Sequence, residues 1–344
     1  MRPVVFLNSH PIQYFAPLYQ QIAMQTDIDL EVLYCSDESI TGVKDKGFGK
    51  SVKWDIPLLS GYKSRFFKNR SLNPSIYKGF WGLFNPGVIK YLIRKPHSTL
   101  IVHGWGSATH ILAIIIGKLA GHTVCIRAET PQNQELLKNK YLTTIKHIYL
   151  RFIFLFVDRF LYIGQQNKLF YQALGIPEHK MIFTPYSVDN KRFRESFKET
   201  GKADARAKVQ LPQHTQIILY SGKYISKKNP LDILKAFSLL NDKNAILVMV
   251  GDGELCSEME RFINHNSLAD KVILTGFVNQ SLIPYYYRAA DVFVMCSGLG
   301  ETWGLSVNEA MNFGLPVIVS DTCGCEFKNT TGLIMLSFLY PKTG

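Results

Sequence analysis

The sequence is short of acidic side chains: 27 Asp and Glu stand against 39 Lys and Arg in 344 residues, a formal net charge of +12. The deficit is uneven, because residues 1–190 hold 22 basic and 12 acidic side chains whereas residues 191–344 hold 17 and 15. A basic first half attracts nucleic acid, an anionic membrane or an anionic substrate, and composition does not choose among them. Cysteine is also scarce. Cys35, Cys125, Cys256, Cys296, Cys323 and Cys325 form no CxxC pair, and most sit in apolar strand-like runs, which fits reduced thiols in a cytoplasmic compartment. No apolar run reaches the ~18 residues of a membrane span. Ile148–Gly164 comes nearest, but Arg151, Asp158 and Arg159 interrupt it, so it reads as a buried helix followed by a strand. No secretory leader precedes RPVVFLNSHP, which is strand-like from its start. GxGxxG and GxxxxGK[ST] are both missing, which leaves nicotinamide-type and P-loop chemistry without their fingerprints. Internal repeats and low-complexity tracts are absent too.

What is present is apolar content, 47% of the chain, enough for two cores of ordinary size. Short apolar runs alternate with helix-length segments: Val4–Asn8 then Tyr14–Met24, Leu100–His103 then Ala108–Leu119, Thr123–Ile126, and Arg159–Ile163 then Asn167–Leu174. The alternation pauses over the polar stretch Phe183–Lys208. It resumes with strands at Ile217–Ser221, Ala245–Val250, Val272–Thr275, Val292–Cys296 and Val317–Ser320, separated by helices at Leu231–Leu240, Leu255–Asn264, Leu282–Ala289 and Leu305–Phe313. Alternation at this spacing predicts βαβ units and parallel sheets. The fold class is therefore α/β, with two Rossmann-like doubly wound domains, 1–190 and 191–344, joined through the polar pause. Such domains place a ligand at the carboxyl ends of their strands, here in a predicted interdomain cleft. Basic and aromatic residues interleave in YKSRFFKNRS (Tyr62–Ser71), which suits either a lipid surface or a solvated loop.

Three stretches carry chemistry. In LYSGKYISKKNPLDILKAF (Leu219–Phe237) a strand ends at Ser221-Gly222 and a loop brings Lys223, Lys227 and Lys228. A helix follows, with Asn229 as predicted N-cap and Pro230 at its first position. Lysines and a helix's positive end then converge where an anion such as a diphosphate fits, unless the turn is merely solvated. VMVGDGE (Val248–Glu254) is a strand followed by a glycine-flanked turn, where Gly251 lets backbones approach closely. GLGETWGLSVNEAMNFGLP (Gly298–Pro316) holds Glu301 in a glycine-rich loop and Glu309 inside a helix that ends near Gly314. Eight residues of continuous helix would separate the glutamates by about 12 Å, whereas a double-displacement pair needs ~5–5.5 Å. They read instead as two grips on one long ligand: Glu309 on ribose hydroxyls and Glu301 on a sugar beyond a diphosphate.

These stretches, with TGFV (Thr275–Val278) and PYSVDNKRF (Pro185–Phe193), resemble the retaining GT-B glycosyltransferases of family 4, the glycosyltransferase group 1 family. The resemblance implies a nucleotide-sugar donor, with UDP or GDP as base carrier, held by the second domain. Glu301 would contact the donor sugar catalytically, the amides of Trp303, Gly304 and Leu305 would meet sugar or phosphate, and Glu309 would hold the ribose. Gly222 and Gly251 would border the donor, Lys223 and Lys228 would neutralise the diphosphate, and Phe277 would touch the base. It implies no cofactor and no metal, and it gives no place to nucleic acid. The acceptor would be a glycan or polyprenyl-diphosphate-linked glycan, in capsule, O-antigen or exopolysaccharide synthesis, with an anionic membrane surface as a peripheral partner on the cytoplasmic side.

The chain departs from the pattern in two places. Where the family often has a histidine after the strand TVCIRAET, this sequence has Glu129, with Arg127 beside it, and the glycine-rich first loop is replaced by NSHPIQYF (Asn8–Phe15). Glu129 and His10 are catalytic candidates there, and Arg127, His103 and Gln13 are acceptor-binding ones, His10, Gln13 and His103 having structural readings as well. The C-terminal end reads as short for the family. A truncated, non-catalytic nucleotide-sugar-binding protein and a GT-B nucleotide-sugar epimerase are therefore the alternatives.

Overall fold

The computed structural model describes residues 1–42, 47, 52–195, 198–240, 242–324 and 335–338. They fall into two compact units, one of Met1–Val43 with Pro57–Tyr186 and one of Lys44–Ile56 with Ser187–Gly344.

The first unit is built on a seven-stranded sheet: β1 (Arg2–Asn8), β2 (Ile28–Tyr34), β3 (Lys63–Phe66), β4 (Thr99–His103), β5 (Thr123–Arg127), β6 (Arg159–Tyr162) and β7 (Met181–Phe183). The order is β3-β2-β1-β4-β5-β6-β7 and every pair is parallel. Strand order reverses between β1 and β4, so helices cover both faces. Val5, Leu7, Leu100, Val102, Val124 and Ile126 fill the interior between them. The predicted helix at Ala108–Leu119 has those bounds, started by Ser107, whose hydroxyl accepts the His110 amide.

Three expectations for this region are corrected. Tyr62–Ser71 is not a loop at its start: it supplies edge strand β3, whose Lys63 pairs with Asp29 at 2.9 Å and whose Arg65 lies 3.3 Å from Glu31. Charged side chains along an edge strand are a usual protection against pairing with another chain. The segment read as a buried helix from Ile148 belongs to a longer helix, Lys140–Phe154, that buries only Leu150, Ile153 and Phe154. The polar pause at Phe183–Lys208 is not bare linker either, since it contains the end of β7 and helices Asn190–Glu195 and Lys202–Lys208.

The second unit holds β8 (Gln216–Ser221), β9 (Ala245–Val250), β10 (Val272–Leu274), β11 (Val292–Met295), β12 (Val317–Ser320) and β13 (Met335–Phe338). The order is β10-β9-β8-β11-β12-β13, again all parallel. All six residues of β9 are buried, as an unbroken apolar run predicts for a strand covered on both faces. Tyr224, Leu234, Leu247, Met249 and Met259 form the centre of this core. Strand order reverses between β8 and β11. The expected shortness of the C-terminal end, and Cys325, fall largely outside the described residues.

Candidate donor site at the carboxyl edge of the second sheet

Ser221 ends β8 and Met295 ends β11 on either side of the reversal, so the loops leaving these strands flank the position where doubly wound sheets bind ligands. Backbone and thiol contacts lock the two loops together. The Gly298 amide donates to the Lys227 carbonyl at 2.8 Å, and the Cys296 thiol donates to the Asn229 carbonyl at 3.2 Å. Asn229 stands at the N-cap position as expected, but with φ 45° and ψ 46° and no side-chain capping bond. Its contribution is a left-handed turn, which asparagine tolerates better than most residues.

That junction brings two of the predicted residues into direct contact. Lys228 Nζ lies 2.5 Å from Glu301 Oε2, with side-chain exposures of 19% and 10%. Burial opposes the charge on Glu301, yet the neighbouring Lys228 and Lys227 outweigh it and hold the carboxyl below its ordinary range. The two side chains, both predicted to face the donor, therefore neutralise each other's charge.

Gly222 and Gly251 also meet. The Gly222 amide donates to the Val250 carbonyl at 2.9 Å, and Gly251, at φ +154°, lies so close that a Cβ on it would sit 1.8 Å from the Gly222 carbonyl oxygen. Gly251→Ala must push the β8 loop away, at a cost of about 1–3 kcal/mol. A lower denaturation midpoint is expected; an unchanged midpoint would contradict this close approach. Lys223 is half-buried beside Gly222, and Tyr220 donates its hydroxyl to the Lys223 carbonyl at 3.0 Å.

Phe277 follows β10 with its ring 5.9 Å from that of Trp54. Trp54 belongs to a segment docked on this unit through Asn279, whose side-chain amide donates to the Lys53 carbonyl at 2.7 Å, and through Asp55, which accepts from the Ser281 amide at 3.1 Å. No local pattern points to that long-range docking, and sequence reasoning missed it. Trp303 is buried, its indole N–H donating to Asn308 Oδ1 at 2.7 Å. This clamp fixes the chain through Gly304, at φ +88°, into the helix Leu305–Met311. Glu309 is buried on that helix, and its Oε2 accepts from the Tyr287 hydroxyl at 2.7 Å. Tyr287 was also missed, because in PYYYRAAD it reads as one of several core aromatics.

The first unit assembles its own group of candidates. Arg127 and His103 are the last residues of β5 and β4 and are register partners. Both press on Phe15, whose ring lies 4.5 Å from the His103 ring and 5.2 Å from Arg127 Cζ. Arg127 is only 7% exposed, with Tyr186 stacked 4.4 Å from its Cζ, and its Nη1, like Nε2 of His103, has no hydrogen-bond partner among the described residues. Burial, and next the Arg127 charge, push His103 well below its ordinary value, so it is neutral at physiological pH. Burial also lowers Arg127, with the Glu129 charge acting the other way. Glu129 is exposed, Gln13 is half-buried, and His10 is half-buried with Nδ1 2.8 Å from the Ser9 hydroxyl.

Residues 201–328 match the family model "Glycosyl transferases group 1". Among curated proteins, the alpha-monoglucosyldiacylglycerol synthase of Streptococcus pneumoniae is 29% identical over 137 residues, 39% of this chain and 31% of the synthase. The chain thus spans about a third of that relative's length. Among solved structures, Anabaena Alr3699/HepE in complex with UDP and glucose superposes with a TM-score of 0.71 at 14% identity, covering 98% of this chain and 85% of HepE. WaaG, a glycosyltransferase of lipopolysaccharide biosynthesis, gives a TM-score of 0.65 at 15% identity over 94% of this chain and 82% of WaaG. The chain has the α/β fold of GT-B glycosyltransferases, and over residues 201–328 it is similar to the glycosyl transferases of group 1.

Proposed function

We propose that this chain transfers a sugar, with retention of anomeric configuration, from a nucleoside-diphosphate sugar to a glycan or polyprenyl-diphosphate-linked glycan. The setting we assign is capsule, O-antigen or exopolysaccharide synthesis on the cytoplasmic face of a membrane. The observation that carries the reading is the Lys228–Glu301 pair at the carboxyl edge of β8 and β11. A buried ion pair is a weak source of stability, but here each partner is suited to one end of a sugar diphosphate. The neighbour HepE, solved in complex with UDP and glucose, supports a nucleotide-sugar donor.

In this reading Lys223 and Lys228, rather than a metal ion, stabilise the charge that grows on the departing diphosphate. The amides of Trp303, Gly304 and Leu305 add donors, Glu301 orients the sugar, Glu309 takes the ribose and Phe277 the base. Glu129 and His10 serve the acceptor hydroxyl, and Arg127, His103 and Gln13 bind the acceptor body.

Thermal unfolding with UDP, GDP, ADP and CMP tests the donor assignment. One nucleoside diphosphate, present at a hundred times its Kd, is expected to add about 2.7 kcal/mol. Glu309→Ala removes a charged acceptor of two hydroxyls, worth about 1.5–3 kcal/mol, and should weaken that nucleotide about 10- to 100-fold. If no nucleotide shifts the transition of the wild-type protein, the proposal is wrong.

A further inference from the structure

We infer that the outward face of helix Lys140–Phe154 is an interfacial surface that seats the first unit on an anionic lipid bilayer. The inference rests on the membrane-side setting proposed above, and it names the side chains that make the contact.

The helix is amphipathic in reverse. Leu150, Ile153 and Phe154 enter the unit's core, while Tyr141, Ile145, Ile148, Phe152 and Leu155, spaced i, i+4, i+7, i+11 and i+14, lie on the opposite side and are 57–83% exposed. At 1.5 Å per residue this stripe is about 21 Å long. Leu136 and Leu137, exposed just before the helix, extend it. Single exposed leucines are ordinary, but a continuous row is what a docking surface looks like.

Charge selects the occupant. Residues 136–155 contain Lys138, Lys140, Lys146 and Arg151 and no acidic residue. Lys138 and Lys146 anchor the segment to its own unit, both contacting the buried carboxylate of Glu135, at 2.5 and 2.7 Å. Lys140 and Arg151 fall about 20° apart around the helix axis, along one border of the apolar stripe, where both are exposed; the Arg151 guanidinium also donates to the Leu174 and Ala173 carbonyls at 3.3 and 3.4 Å, which holds it at that border. A helix with basic borders, aromatic residues and an apolar face matches the composition that lies in the headgroup region of anionic membranes. A second copy docked by a two-fold axis would oppose the same cations with no carboxylate on the stripe to pair them. Among the described residues no helix is long and apolar enough to cross a membrane, so the contact is along the surface.

The test is flotation of the full chain with phosphatidylcholine vesicles, with and without phosphatidylglycerol, alongside sedimentation velocity without lipid. The wild-type chain should float with the anionic vesicles. Each of Ile145→Asp and Ile148→Asp should lower the partition coefficient about tenfold, from the lost apolar burial. Lys140→Gln with Arg151→Gln should abolish the preference for phosphatidylglycerol while leaving the apolar stripe intact, and it serves if the aspartate variants fold poorly. Failure of the wild-type chain to float, or flotation indifferent to all four substitutions, overturns the inference. So does loss of self-association in the isoleucine variants with no lipid binding in the wild type, which would make the stripe a contact between copies. Flotation is read without nucleotide, so vesicle binding without donor binding would defeat the proposed transfer while leaving this surface in place.

Discussion

Lys228→Met is expected to lower kcat/KM for sugar transfer by about a hundredfold or more, the usual cost of losing one preorganised group that stabilises developing negative charge. The same substitution should destabilise the second unit by about 3–5 kcal/mol, because it strands the carboxylate of Glu301, only 8% exposed, without its partner. The two effects have different remedies. Adding Glu301→Gln removes the stranded charge and should restore most of the stability, yet activity should stay low because both groups proposed to face the donor are gone. Acidity separates them again. The Glu301 carboxyl is held below its ordinary value in the folded protein, so the stability it contributes is present above the unfolded-state value and is lost as pH falls through the folded one. The gap in unfolding free energy between wild type and Lys228→Met should therefore shrink steadily on acidification. Denaturant melts at neutral and acidic pH, beside steady-state kinetics, measure all of this. Equal midpoints at neutral pH would show that the pair does not hold the loops, and wild-type turnover would remove Lys228 from the chemistry.

Several parts of the molecule are legible from sequence because the physics is local. The strands of both sheets are apolar runs bounded by polar or glycine residues, and β9 and β12 appear with the predicted bounds. The loops after β8 and β11 announce themselves by glycine, lysine and glutamate at fixed offsets, so the residues of the Lys228–Glu301 pair could be named before their contact was known. What stayed hidden depends on distant partners. β3 is four exposed residues, KSRF, with no hydrophobic face, and it is a strand because β2 offers Asp29 and Glu31 to its bases. Trp54 and Asp55 join the second unit through Phe277, Asn279 and Ser281, more than 220 positions away. Helix Lys140–Phe154 has apolar residues on two opposite faces, one buried and one exposed, and such a pattern does not say which side meets the core.

Arg206 supplies the second large effect, from the polar stretch that composition alone reads as a linker. Arg206→Met is expected to destabilise the second unit by about 3–5 kcal/mol. The guanidinium is 5% exposed and donates to the Ala289 carbonyl from Nε at 3.0 Å, to the Pro212 and Gln213 carbonyls from Nη1 at 3.2 and 2.5 Å, and to Asp291 from Nη2 at 2.8 Å. It thereby ties helix Lys202–Lys208 to the residues entering β8 and β11. Asp291 also accepts the Ile217 amide at 2.7 Å and pairs with Lys202. Burial alone would raise its carboxyl, but these partners and the Arg206 charge hold it low. Methionine fills much of the volume but leaves three carbonyls and a carboxylate short of donors. Arg206→Lys keeps the charge and loses the fork, so it should recover only part of the deficit. Because Ile217 and Asp291 lie at the amino ends of their strands, whereas Lys228 and Glu301 follow the carboxyl ends, nucleotide affinity measured well below the transition should be unchanged in both variants. Denaturant midpoints and a nucleotide titration at low temperature check the two halves together. A wild-type midpoint for Arg206→Met would mean that the stretch is as dispensable as its composition suggests, and altered nucleotide affinity would mean that the amino and carboxyl edges of this sheet are coupled.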